Sequence, residues 1–106
     1  MAYHRTKQQV IEDRILATHQ LIADRLVKNP QAIINKAKNN IFRWQKQQGL
    51  KELNWYDREW LNILNQPVDS VIQVLTGQDE HSIHLRSSSP FAGVLSARVR
   101  WSIIKK

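Results

Sequence analysis

The chain has 106 residues and a formal net charge of +7, with 42% hydrophobic and 24% charged residues and no cysteine. A single domain of that size can bury a modest core unaided, and the composition is globular rather than disordered. The lack of cysteine excludes disulfides, thiolate zinc sites and a cysteine nucleophile, and it fits a reducing cytoplasm as the expected location.

The first helix is predicted over 6–28. Ile11, Ile15, Ile22 and Leu26 recur at helical spacings of four and seven with Thr18 between, Leu16 widens the stripe, and Thr6 can cap the start. Asn29-Pro30 ends it and opens a second helix over 30–48, with Asn29 as N-cap and Pro30 at the first helical position. Ile33, Ala37, Ile41 and Trp44 mark that helix's apolar face, and Gly49 is its stop. A third helix fits 55–65, capped by Asn54, with Trp60, Ile63 and Leu64 facing the core. Gln66-Pro67 breaks the chain, and Val68, Val71, Ile72 and Leu75 make the stripe of a fourth helix ending before Gly77. One more helical stretch is expected within 79–87, then an irregular apolar loop over 85–95. Ser96 then caps a last helix over 96–106 that carries Val99, Ile103 and Ile104, with Arg98, Lys105 and Lys106 exposed. No alternating run bounded by a hairpin turn occurs, and no repeat or interdomain linker is visible. The expectation is one all-α domain over 1–106, a compact bundle of five to six helices with an ordered apolar loop before the last.

The loop segment fits no simple element. Pro90 disfavours helix at Ser89, and Gly93 weakens any element through the apolar run Phe91 to Leu95. Such a loop must bury its apolar surface in its own domain or on a partner. Arginines flank it, and tryptophan with arginine is what binding hot spots use. The candidate partner-binding residues are therefore Arg86, Ser89, Pro90, Phe91, Val94, Leu95, Arg98, Arg100 and Trp101. Trp44 and Trp60 fall on apolar stripes and are expected in the core.

Charge is segregated along the chain. Residues 29–50 hold Lys36, Lys38, Arg43 and Lys46 and no acid; 81–106 hold Arg86, Arg98, Arg100, Lys105 and Lys106 and no acid; 51–80 are acidic. Segregation points to a polyanion or an acidic protein surface as partner. For nucleic acid the second helix is the better candidate: Lys36, Lys38, Arg43 and Lys46 for phosphates, Asn39 and Asn40 for base edges. The Asn29-Pro30 joint after a long first helix does not match a helix-turn-helix, so a nonspecific phosphate-binding face fits better than sequence readout.

Nothing argues for an enzyme. His81 and His84, three apart beside Glu80, lack a third ligand for a metal. Asp57 and Glu59 are two apart and do not face the same way on a helix, so they are better understood as acids favoured near a helix N-terminus. Ser87, Ser88 and Ser89 lack the glycines of a nucleophile elbow, and Gly49, Gly77 and Gly93 are too far apart for a phosphate loop. No cofactor and no metal are expected. Residues 1–7 show no secretory h-region and no apolar run approaches the roughly 20 residues of a membrane span, so no membrane partner is expected.

Leu85-Arg86, then Ser88 through Leu95, then Arg100-Trp101, spells an ending that resembles a group of small bacterial proteins. Arg43-Trp44 and Trp60-Leu61 are similar as well. Those proteins look like antitoxin components of two-gene toxin–antitoxin modules. The resemblance implies a non-catalytic protein that binds and neutralises a cognate toxin protein, with possible repression of its own operon. The alternatives are a stand-alone basic protein that binds DNA or RNA, and a self-assembling helical adaptor, that is, a homo-oligomer.

Overall fold

Several helix ends fall where neighbouring residues satisfy, or remove, the free backbone groups of a helix end. The computed structural model describes residues 6–104 and contains α1 (Lys7–Lys28), α2 (Pro30–Gln47), α3 (Trp55–Leu64), α4 (Val68–Thr76), α5 (Glu80–Arg86) and α6 (Ala97–Ile104). No strand occurs among the described residues. Thr6 caps α1 in a full capping box: its Oγ1 accepts from the Gln9 amide at 3.1 Å, and the Gln9 side chain accepts from the Thr6 amide at 3.1 Å. Asn29 alone separates α1 from α2, and Pro30 supplies the preset φ of the first turn. α2 closes in a Schellman turn, Leu50 N–H reaching Gln45 C=O at 3.1 Å and Gly49 N–H reaching Lys46 C=O at 3.2 Å. Gly49 takes φ +66 there, which favours glycine. Asp79 and Ser96 accept from the Ser82 and Val99 amides and so start α5 and α6.

α1 is the spine, packing against α2, α4, α5 and α6, while α3 touches α2 and α4. Ile22, Leu26, Ile41, Trp60, Val71 and Leu75 meet in the core, and Trp60 donates its indole N–H to the Leu85 carbonyl at 3.0 Å. Each such aliphatic side chain contributes about 1.5–3 kcal/mol by leaving water. The all-α bundle is the expected fold. The core is shorter than α1, however. No described residue before His19 is buried, and Ile11, predicted as core, is 48% exposed. α6 buries none of its residues. The molecule is accordingly long, 51 × 30 × 26 Å.

The segment expected to be an irregular loop over 85–95 begins two residues later, because Leu85 and Arg86 close α5. Lys105 and Lys106, predicted at the end of the last helix, lie outside the described residues.

Candidate functional site

The apolar loop proves to be part of the core. Phe91 is 3% exposed, Leu95 and Pro90 are buried with it, and the Phe91 ring packs edge-on to Trp60 at 5.5 Å and to His19 at 6.4 Å. The loop is pinned by Asn40, whose Nδ2 donates to the carbonyls of Pro90 and Ala92, each at 2.9 Å. Gly93 lets the chain turn away at φ +81, beneath the Lys36 side chain. Arg86 is also inside: its Nη1 donates to the Val74 carbonyl at 2.9 Å and to that of Gly77, closing the C-terminus of α4. Burial lowers the Arg86 pKa, an effect that nearby Asp79 opposes, and a guanidinium stays charged under such shifts.

These positions correct the sequence reading. Arg86, Pro90, Phe91 and Leu95 are used inside the domain and offer no surface to a partner, because the loop's apolar side chains find their burial at home. Asn40 is spent on the loop and cannot read bases. Lys38 donates to Asn65 Oδ1 at 2.8 Å rather than standing free on the helix. Trp60 is core as expected, whereas Trp44 is only half-buried. Of the loop candidates, Ser89 and Val94 are half-buried, Ser89 Oγ accepting from the Phe91 amide at 3.3 Å. Arg98, Arg100 and Trp101 remain exposed, Trp101 at 55%.

Three surfaces survive with chemistry on them. The first lies where the uncovered half of α1 meets α6. A groove of about 360 Å³ there is lined by Ile11, Ile15, Ile103 and Ile104 with Arg14 and Arg100, and by no acid. A larger groove of about 600 Å³ runs beside it along Val10, Ala17 and Leu21, with Asp13, Arg14 and Asp24 at its edge. The second is a row on α2. Lys36, Asn39, Arg43 and Lys46 are exposed at helical spacing, and Arg43 Nη2 also donates to Asn40 Oδ1 at 2.8 Å. The third is a small polar hollow of about 220 Å³ between the end of α2, the start of α3 and the serine run, with Trp44, Tyr56 and Asp57 in its lining.

His81 and His84 are exposed on α5, and His81 Nε2 lies 3.6 Å from a Glu59 carboxylate oxygen. No group of three metal-ligating side chains occurs among the described residues. No helix among them is long and apolar enough to cross a membrane. Sequence reasoning missed Arg14 and Ile11 as groove residues and Asp57 as a pocket residue. Asp57 did carry a signal, since it is in register with Trp60 and Leu64 on the inward face of α3. No protein-family model, no curated protein and no solved structure matches this chain.

Proposed function

We propose that the chain is a non-catalytic interaction protein that docks a protein partner on the α1–α6 face. One observation carries this. α6 buries none of its residues, yet with the start of α1 it forms a groove of isoleucines edged by Arg14 and Arg100 without an acid. Apolar surface ringed by polar groups is the anatomy of a protein interface. Trp101 and Arg98 stand exposed on the same helix, and tryptophan and arginine are the residue types that anchor such contacts. Arg14 and Arg100 favour an occupant that presents a carboxylate at this groove, while Asp13 and Asp24 on the adjoining groove favour a basic group beside it. A toxin protein held and neutralised in this way is the identity implied by the resemblance of the C-terminal motif.

The row Lys36, Asn39, Arg43 and Lys46 favours a second reading, a face for nucleic-acid phosphates. A pull-down of the tagged chain from its host after nuclease treatment separates the two. The expected result is one stoichiometric protein, lost from the Arg100→Glu and Ile104→Asp variants while their melting temperatures stay within a few degrees of the parent's. Recovery of nucleic acid alone, released by moderate salt as counterions compete for phosphates, would move the assignment to α2.

A further inference from the structure

Among the described residues Asp57 is a carboxylate without a hydrogen-bond or ion-pair partner. It sits in the first turn of α3, only 6% exposed. None of the hydrogen bonds or ion pairs among the described residues ends on it. Burial raises its pKa above the ordinary 3.8. Its oxygens are not among the fully buried unpartnered atoms, so they open onto the hollow it lines, and an ion there has lost part of its hydration without a bond in exchange. The position of Asp57 in the first turn of α3 offsets part of the cost through the helix dipole.

The surroundings say what would complete it. The hollow over Asp57 is walled by Trp44 and Tyr56, with amides and serine hydroxyls making up the rest, and no Lys, Arg or His lines it. That is notable in a chain with 16 lysines and arginines against 9 acids. Ser87 Oγ donates to the His84 carbonyl, and Tyr56 Oη receives the Asn54 amide, so their oxygen lone pairs and the phenol proton still have capacity. Aromatic walls, a carboxylate and surplus acceptors are the attributes of a cation site. One carboxylate cannot hold a divalent metal, which takes several oxygen ligands. A hollow of about 220 Å³ is smaller than the usual small-molecule site and suits an end group.

We propose that this hollow binds a small organic cation, a guanidinium or primary ammonium end group, on Asp57 between the walls of Trp44 and Tyr56. The site shares no lining residue with the α1–α6 groove and stands whether or not that face docks a protein. The cation can be a free molecule or the tip of an arginine or lysine side chain, since the same chemistry recognises both.

The test is an amide and indole NMR titration of the full chain with methylguanidinium chloride, and separately with blocked arginine (acetyl-arginine methylamide), against sodium chloride at equal ionic strength. Saturable shifts confined to the Trp44 indole, Tyr56 and the 87–89 amides are expected, weakened at least tenfold by Asp57→Asn. Tighter binding of the blocked arginine supports the site and names a side chain as its occupant; equal binding supports it and names a free cation. Asn fills nearly the volume of Asp, so the variant is expected to fold. Independently of it, affinity in the parent must fall as the pH is lowered through the raised Asp57 pKa. Linear shifts spread over other acidic residues, or binding that ignores both Asp57→Asn and acid, would overturn the proposal.

Discussion

Two buried titratable side chains tie this small core to pH in opposite senses. His19 is buried with its Nδ1 2.7 Å from the Ile15 carbonyl, so that nitrogen carries the proton, and its Nε2 has no hydrogen-bond partner. Burial lowers its pKa below 6.5; the Ile15 carbonyl opposes the shift, and the Arg86 charge adds to it. The unfolded chain therefore takes up this proton first as pH falls. Stability is lost from about pH 6.5 downward until the folded pKa is reached. His19→Leu should flatten melting temperature against pH between neutrality and pH 5, and parallel curves for parent and variant would refute this account of the ring. Asp57 runs the other way. Its raised pKa means the folded state holds the proton more tightly, so stability falls as pH rises from 3.8 through the folded value. At neutral pH Asp57→Asn should accordingly raise the melting temperature, an effect that vanishes in acid.

The loop over 87–96 belongs to the core as much as the helices do, through Pro90, Phe91 and Leu95. Phe91 fills the space between Trp60 and His19, and truncating a buried phenylalanine typically costs about 3–5 kcal/mol. Phe91→Ala should therefore lower the urea midpoint strongly, and Trp101→Ala, on a side chain 55% exposed, should lower it far less. The helices themselves were legible in the sequence because most carry local punctuation: Thr6, Pro30, Gly49, Asp79 and Ser96 act at the ends they mark, whereas Asn29 and Asn54 stand at N-cap positions without a side-chain capping bond. The destination of the loop was not legible. An apolar run between arginines has the same composition whether it is buried at home or against a partner, and only tertiary packing distinguishes the two. Asn40 and Arg86 misled for a related reason. Both are polar residues on basic segments, yet each spends its donors on backbone carbonyls far along the chain. Asn40 was readable in principle, being in register with Ile33, Ala37 and Trp44 on the apolar side of α2.

At the scale of the whole molecule, the protein divides into a sealed half and an open half. The sealed half holds the core. The open half is the start of α1 with α6, joined through the half-buried Val99 and Ile103. Deleting residues 97–106 removes little buried surface, so the remainder should stay folded, with a loss of about 2 kcal/mol from those two side chains. Partner capture should disappear with it. Loss of the cooperative transition in the truncated chain would show instead that α6 belongs to the core. The long tie from Asn40 to Pro90 also has a kinetic meaning. It joins residues 50 apart, and its donor is in place only once α2 stands against the bundle. Chain-closure entropy is met late for contacts so distant, after local helices have formed. The expected order of assembly runs from helices to bundle to loop, so Phe91→Ala should speed unfolding far more than it slows refolding, and a slowed refolding limb would place Phe91 in the nucleus instead.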